Sequence, residues 1–183
     1  DVAAPGQVRK SNQSLEQLFH TMRNYFTPNE WAVIRRDAPD EHAMEGNFRK
    51  YWSLKEAYVK ARGDGIAFEL SRCEFRLQHE GGLIESATVR VEGTPQPHWR
   101  FYMQQLPDEH WLSVGRGPPT DAVDAWGAFK ATFANPNLTL EQIEEQLNRV
   151  EPPFVLKQIR ELVPPELQQQ YIEVAEANVM RCL

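Results

Sequence analysis

Residues 51–65 read Tyr51-Trp52-Ser53-Leu54-Lys55-Glu56-Ala57-Tyr58-Val59-Lys60-Ala61-Arg62-Gly63-Asp64-Gly65. They close a run that starts at Glu41 and contains no proline and one glycine before Gly63. Large apolar residues recur through this run, which predicts one long helix ending at Arg62. Gly63 takes the position of a left-handed helix cap, where a residue without a side chain is favoured. Because its apolar surface is broad, we expect this helix to lie at the centre of the fold.

Two shorter helices are predicted before this run. Ser14 and Gln17 have the spacing of a capping box, and apolar residues follow at helical intervals to about Tyr25. Thr27-Pro28-Asn29-Glu30 starts a second helix, because it combines a capping pair with a proline in the first turn. Residues 1–13 show no periodicity and predict a loop.

The hydrophobic period changes after the long helix. Short apolar runs and alternating runs, bounded by turn residues, predict four strands. These strands are expected at residues 68–77, 87–91, 99–103 and 111–114. Helices followed by a meander of strands predict an α+β fold, in which the helices pack on an antiparallel sheet.

The sequence of residues 118–183 predicts a helical extension, which follows a main domain of residues 1–117. Prolines divide this tail into three short segments, each with an apolar stripe at helical spacing. The stripes consist of Leu138, Leu140, Ile143 and Leu147, then Phe154, Leu156, Ile159 and Leu162, then Leu167, Tyr171, Val174 and Val179. They either cover apolar surface of this chain, which we favour, or dock on a partner.

Composition narrows the possible classes of protein. The chain has 183 residues, 41% of them hydrophobic and 10% aromatic, which is typical of a folded domain. A net charge of −6 argues against binding nucleic acid through the whole surface. Two cysteines cannot build a disulfide scaffold, and no apolar run is long enough to span a membrane. We expect a protein of the cytoplasm, with the mitochondrial matrix as the alternative.

Glu56 and Lys60 are the residues of the long helix best suited to chemistry. They are four positions apart, so they lie about one turn apart on the same helix face. A carboxylate supplies hard oxygen to Mg²⁺, while a neighbouring ammonium neutralises phosphate charge. From spacing alone we favour the plainer interpretation, an ordinary surface ion pair.

The same helix carries a longer pattern, W-x-x-K-E-(A/S)-x-x-K-A-x-G-x-G, which resembles the signature of the 4′-phosphopantetheinyl transferases. The segment Phe26-Thr27-Pro28-Asn29-Glu30-Trp31 is similar to the F-T-x-x-E-W segment of the eukaryotic Sfp-like members, which are related to lysine-pathway and fatty-acid-synthase activation. The resemblance covers roughly residues 1–117. The residues that carry the pattern are Trp52, Lys55, Glu56, Ala57, Lys60, Ala61, Gly63 and Gly65.

This resemblance implies an activity and a set of site residues. Members of the family transfer the 4′-phosphopantetheine arm of coenzyme A to a serine of an acyl or peptidyl carrier protein and release 3′,5′-ADP. By position, Asp1 and Glu56 are the carboxylates that bind Mg²⁺, and Glu56 also orients or accepts the serine proton. Lys60 and Lys55 contact the phosphates of coenzyme A. Glu56 and Lys60 are thus the expected catalytic residues.

Two departures from the family pattern bear on function and partners. Ala3 stands where many members carry a further carboxylate beside the metal. Sfp-like enzymes have two similar α+β halves with coenzyme A between them, and this chain resembles the second half, beginning at Asp1. The resemblance therefore implies that a missing N-terminal half, or another copy of the domain, is a partner. The alternative function is a non-catalytic homologue that binds a carrier protein or serves as an assembly module.

Two further expectations concern residues outside the predicted site. Trp52 is expected to pack the long helix on the sheet. A group of basic residues indicates either a solvated face or a surface for an acidic carrier protein. These residues are Arg35, Arg36, Arg49, Lys50 and Arg62.

Overall fold

The computed structural model of the protein describes residues 1–7, 9–10, 12–36, 38–78, 83–118, 121–122 and 138–181, with residues 176–181 described by backbone alone. Helices and strands are segregated into separate runs along the chain, as in an α+β fold. In the described ranges the elements are β1 (Val2–Ala3), α1 (Leu15–Met22), α2 (Pro28–Arg36), α3 (Glu41–Arg62), β2 (Cys73–Gln78), β3 (Ile84–Val91), β4 (Thr94–Pro95), β5 (Arg100–Gln105), β6 (Trp111–Arg116), α4 (Leu140–Leu147), α5 (Ile159–Leu162) and α6 (Gln168–Arg181). The predicted fold class is confirmed.

Helix α3 has the bounds that the sequence predicts. The Asp40 side chain accepts a hydrogen bond from the backbone of Ala43 and caps the first turn. At the other end, Gly63 has a φ of 80° and donates its backbone N–H to the Val59 carbonyl. A left-handed φ is strained for residues with a Cβ, so glycine suits this cap.

The two helices before α3 also begin where their capping residues predict. The Ser14 side chain accepts from the backbone of Gln17, whose own side chain accepts from Ser14, and a short 3₁₀ turn continues the helix over Arg23–Tyr25. In α2, the backbone N–H of Thr27 donates to the Glu30 carboxylate at 2.8 Å, and the Glu30 N–H donates back to Thr27 Oγ1 at 3.3 Å.

Six strands in the described ranges form one antiparallel sheet in the order β1-β6-β5-β3-β2, with β4 paired to β3. Four of them correspond to the four predicted strands. The first of these was predicted to begin at Phe68, and that is wrong: two 3₁₀ turns precede β2, which begins at Cys73. The prediction of a loop over residues 1–13 is wrong at Val2–Ala3, which pair with Leu112 and Trp111 of β6.

Helix α3 lies between the sheet and the shorter helices, and aromatic rings fill both contacts. On the sheet side, Tyr58 packs edge-on to Trp99 with ring centroids 4.8 Å apart. On the helix side, Phe48 lies 5.6 Å from Phe19 and 5.4 Å from Phe26. Because both sides are covered, most of the circumference of α3 is buried, which accounts for its broad apolar surface.

Trp52 differs from the expectation that it packs α3 on the sheet. Its ring stacks on Phe48 and meets Tyr25 edge-on, with centroids 6.4 and 6.0 Å away. Both contacts are made on the side of the shorter helices. Trp52 therefore helps to join α3 to the turn that follows α1.

The chain divides into two compact units, residues 1–152 and 153–183. The first unit includes α4, where Ile143 and Leu147 are buried while Leu140 is exposed. The second unit contains α5, a 3₁₀ turn and α6. This division follows Pro152, whereas the predicted family boundary at residue 117 stays a prediction. None of the described helices is long and apolar enough to cross a membrane.

Candidate active site

The C-terminal part of α3 brings three predicted site residues together. Lys60 Nζ lies 2.5 Å from Asp1 Oδ1 and 3.9 Å from Glu56 Oε2. The side chains of Lys60 and Glu56 are 61% and 29% exposed, whereas that of Asp1 is 8% exposed. The cluster is therefore anchored at Asp1 and open to a ligand at Lys60.

Asp1 owes its position to the edge of the sheet. Asp1 and Ser113 exchange backbone hydrogen bonds of 2.8 and 2.9 Å, which extend the β1–β6 ladder by one residue. The Asp1 side chain lies on the α3 side of the sheet, since its oxygen accepts from Lys60.

Asp1 and Glu56 place two carboxylate groups, which are hard oxygen donors, beside the Lys60 ammonium. The Lys60 ammonium lies against an oxygen of Asp1 and within 3.9 Å of an oxygen of Glu56. The two carboxylates carry one more negative charge than Lys60 balances, so the site can attract a metal cation. Mg²⁺ prefers oxygen ligands and keeps several of its waters, so two carboxylates fit it. Within the residues that the structure describes, no group of three or more His, Cys, Asp or Glu is arranged to hold a metal ion.

An apolar pocket of about 640 Å³ adjoins Glu56 and Lys60. Five of its ten lining residues come from the segment 63–70, four come from α3, and Tyr25 from the turn after α1 completes the set. The lining residues are Tyr25, Trp52, Glu56, Val59, Lys60, Gly63, Gly65, Ile66, Phe68 and Leu70. Charged groups at one side and apolar groups elsewhere suit a ligand that has a charged group and an uncharged arm.

A second pocket of similar volume lies between Trp99, Gly117 and α4. None of the predicted site residues lines it. The pocket beside Glu56 and Lys60 is therefore the one with the expected chemistry.

Lys55 is placed differently from the other predicted site residues. Its side chain is fully buried, and its Nζ donates to three oxygens: Glu30 Oε2 at 2.9 Å, the Leu70 carbonyl at 2.9 Å and the Cys73 carbonyl at 2.6 Å. An ammonium has three donors, and here all three are matched inside the protein. The expectation that Lys55 contacts the phosphates of coenzyme A does not fit this placement, because no donor is left for a ligand.

Glu30, the partner of Lys55, is a residue whose role the sequence pattern did not reveal. Its Oε2 accepts from Lys55 and from the Thr27 backbone, and its Oε1 accepts from the backbone N–H of Phe75 at 2.9 Å. Burial raises the pKa of the Glu30 carboxyl above its ordinary value, and the charge of Lys55 opposes that shift. The capping signal placed Glu30 at a helix start, but only the fold brings it to Lys55.

The predicted group of basic residues is largely paired within the chain. Arg35 pairs with Glu16, Arg49 and Glu109 lie 3.3 Å apart, Lys50 pairs with Glu85, and Arg62 pairs with Asp64. Each pairing reduces the positive charge available to an acidic partner. The structure thus favours a solvated, internally neutralised face over a carrier-protein surface at these residues.

Comparison with known proteins points to one family. The family model described as "4′-phosphopantetheinyl transferase superfamily" matches residues 7–115. The chain is 46% identical over 108 residues to a phosphopantetheinyl transferase of Thraustochytrium sp., an alignment that covers 57% of this chain and 36% of the relative. It is 32% identical over 110 residues to the L-aminoadipate-semialdehyde dehydrogenase-phosphopantetheinyl transferase of Homo sapiens, covering 58% of this chain and 35% of the relative.

A cyanobacterial relative gives the same result. The chain is 49% identical over 92 residues to the 4′-phosphopantetheinyl transferase HetI of Nostoc sp., covering 50% of this chain and 34% of the relative. The chain thus spans about a third of the length of these curated relatives. The family model, however, covers more than half of the chain. On that match, the chain belongs to the 4′-phosphopantetheinyl transferase superfamily.

Proposed function

We propose that the protein transfers the 4′-phosphopantetheine arm of coenzyme A to a serine of an acyl or peptidyl carrier protein, as a holo-[acyl-carrier-protein] synthase. The observation that carries the proposal is the cluster of Asp1, Glu56 and Lys60 beside the apolar pocket. Family membership and the names of the relatives support the same reaction.

In the proposed reaction, the serine oxygen forms a bond to the phosphorus that carries the pantetheine arm. The bond from that phosphorus to the oxygen of the 3′,5′-ADP leaving group breaks. The serine proton passes to Glu56, directly or through a water. Phosphoryl transfer of this kind depends on positioning and charge neutralisation more than on a strong base.

Lys60 supplies the positive charge that this chain directs at the phosphates. Its long side chain is 61% exposed, so its ammonium can move from the carboxylates to a phosphate oxygen when coenzyme A binds. Asp1 is held by the sheet edge and keeps a fixed carboxylate beside the moving lysine. Glu56 and Lys60 are therefore the proposed catalytic residues.

Asp1 and Glu56 would hold Mg²⁺. When bound, Mg²⁺ would neutralise charge on the pyrophosphate of coenzyme A. The apolar pocket formed by residues such as Trp52 and Phe68 would take the uncharged pantetheine arm, away from water.

The proposed partners are an acyl or peptidyl carrier protein and a further α+β half, supplied by a longer chain or by another copy of this domain. The relatives that the chain matches are about three times longer than the matched segment, which supports a second half. For the compartment we propose the cytoplasm, with the mitochondrial matrix as the alternative, because the buried Cys73 is a free thiol.

The test is transfer of labelled pantetheine from coenzyme A to an apo carrier protein by the full-length protein, with and without Mg²⁺. We expect transfer that requires Mg²⁺ and is lost in Glu56→Gln. A wild-type protein that is folded and transfers nothing, under conditions where a known transferase is active, would overturn the proposal.

The alternative function is a non-catalytic homologue that binds a carrier protein or serves as an assembly module. One observation favours it: Ala3 is buried in β1 and supplies no third carboxylate. Calorimetry separates the two functions. Binding of a carrier protein without Mg²⁺-dependent binding of coenzyme A would support the alternative.

A further inference from the structure

We infer that Lys55 is a positioning residue that holds the wall of the coenzyme A pocket against the helix that carries Glu56 and Lys60. The pocket wall is defined here as residues 63–72, the segment between α3 and β2. The inference rests on the proposed function for its ligand, but its structural content concerns only this chain.

The three oxygens around the Lys55 ammonium belong to three different parts of the fold. Leu70 lies in the pocket wall, Cys73 begins β2, and Glu30 lies in α2. Lys55 itself is in α3, one residue before Glu56. One buried ammonium thus joins the pocket wall to the element that presents the charged cluster.

The pocket wall has little regular structure of its own. It consists of two 3₁₀ turns, Gly65–Ala67 and Leu70–Arg72. Ile66, at its outermost point, is fully exposed. Short 3₁₀ turns have poor hydrogen-bond geometry, so this segment depends on its contacts with α3. These contacts include the bond from Lys55 to the Leu70 carbonyl, the Phe68 ring against Tyr58 and the Arg62–Asp64 pair.

The Glu30 carboxylate lies 2.9 Å from the Lys55 ammonium and supplies its opposite charge. Both residues are almost completely buried: Lys55 is 0% exposed and Glu30 is 1% exposed. Replacing a buried ion pair with uncharged residues of similar volume is often neutral for stability, so stability alone does not require this pair. What an uncharged pair cannot supply is a donor that reaches the Leu70 and Cys73 carbonyls from α3. The Leu70 carbonyl also accepts from the backbone N–H and the thiol of Cys73, but only its bond from Lys55 runs to α3, and that link is the property we assign to Lys55.

The experiment compares a single variant, a compensated double variant and a matched control pair. Lys55→Met leaves Glu30 as an unpaired buried charge, whereas Glu30→Gln with Lys55→Met removes both charges but still lacks the hydrogen bonds from Lys55 to the Leu70 and Cys73 carbonyls. Lys50→Met with Glu85→Gln removes another lysine ion pair of α3, of 2.9 Å, which joins the helix to β3. Thermal denaturation, KM and kcat for coenzyme A, and hydrogen exchange of residues 64–72 are measured for each full-length protein.

We expect the compensated double variant to regain most of the melting temperature lost by Lys55→Met. Its KM for coenzyme A should nevertheless stay raised by about tenfold, because small displacements in a site cost that much or more. Hydrogen exchange of residues 64–72 should be faster than in the wild type. The control pair should leave KM within about twofold of the wild type, since it does not touch the pocket wall.

A double variant with wild-type KM and wild-type exchange at residues 64–72 would overturn the inference. If the wild type transfers no pantetheine, the proposed function fails, and hydrogen exchange then decides the inference alone. Faster exchange of residues 64–72 in the stabilised double variant supports a positioning role, and unchanged exchange contradicts it.

Discussion

Two lysines of α3, five residues apart, occupy opposite environments. Lys55 is fully buried among three oxygens, whereas Lys60 is 61% exposed beside two carboxylates. Both belong to the sequence pattern that resembles the family signature. The difference teaches that one motif serves two purposes: Lys55 ties the helix to its surroundings, and Lys60 is exposed where a ligand can reach it.

The physical cost of charge explains why the two lysines behave differently. A buried ammonium must be matched by partners, because losing one leaves an uncompensated charge in a medium of low polarity. An exposed ion pair contributes little to stability, since water and salt screen it. The exposed lysine can therefore exchange its partners for a ligand, and the buried lysine cannot.

The largest expected effect is a loss of activity on changing the exposed cluster of Asp1, Glu56 and Lys60. Glu56→Gln should lower kcat/KM for pantetheine transfer by about a hundredfold to a thousandfold, since the proposed reaction uses Glu56 as a metal ligand and a proton acceptor. Its melting temperature should stay close to the wild-type value. Glu41→Gln, at the exposed start of the same helix, is the control and should transfer normally. Equal rates for Glu56→Gln and the wild type would contradict the proposed role of the exposed cluster in transfer.

The next effect concerns stability. Lys55→Met should lower the free energy of unfolding by about 3–5 kcal/mol, whereas Lys60→Met should change it by less than about 1 kcal/mol. Urea denaturation at pH 7 measures both. Similar losses in the two variants would contradict the assignment of Lys55 to the interior.

The stability loss of Lys55→Met should depend on pH. Burial already raises the pKa of Glu30, and removing Lys55 removes the charge that opposes this shift. A raised carboxyl pKa in the folded state gives stability that is present below the ordinary pKa and is lost as pH rises through the folded pKa. The variant should therefore be less destabilised near pH 4 than near pH 8. A loss that is equal at both values would show that Glu30 does not take up the proton.

A smaller effect is expected at Cys73, which lies 3.8 Å from the Lys55 ammonium. Burial raises the pKa of the Cys73 thiol to about 11 despite that nearby charge. At pH 8 only about 0.1% of such a thiol is ionised, so its alkylation should be more than about a hundredfold slower than that of an exposed cysteine. Iodoacetamide labelling of a Cys182→Ser protein, in which Cys73 is the remaining cysteine, measures this rate. Rapid labelling would mean that the buried lysine lies in a region that opens readily.

The smallest expected change is in the free energy of unfolding and concerns two glycines of α3, one at its C-terminal cap and one inside it. Gly63→Ala should cost about 1 kcal/mol, because alanine is strained at a φ of 80°. Gly46→Ala, inside the same helix and with no atom within 4 Å of the added Cβ, should instead gain about 0.5–1 kcal/mol. Thermal denaturation of both variants checks the opposite signs. Two changes of the same sign would contradict the cap geometry beside Lys60.

Much of the fold was predictable because its signals are local. The caps of α1, α2 and α3 are short patterns that act through neighbouring backbone groups, and all three helices begin as predicted. Phe68, Leu70 and Phe75 looked like one strand because apolar spacing cannot separate a strand from 3₁₀ turns that also bury aromatic rings. Val2–Ala3 could not be predicted, since a two-residue strand has no period and depends on its partner β6.

The candidate site was predictable in part for a similar reason. Glu56 and Lys60 lie on one helix face by spacing alone, and the resemblance added Asp1. The different place of Lys55 follows from Glu30 and from the carbonyls of residues 70 and 73, which are distant in sequence. A helix that is covered on nearly all sides gives no periodic signal for which lysine is buried.

The hydrogen bond from the Phe75 backbone to Glu30 has a consequence for association. Among the described strands, β2 lies at one edge of the sheet, and unpaired amides on a sheet edge can pair with a strand of another molecule. At Phe75 a buried carboxylate occupies that amide, so a foreign strand finds no donor there. The Glu30 side chain thus prevents another strand from pairing with β2 at Phe75, which disfavours aggregation through this edge.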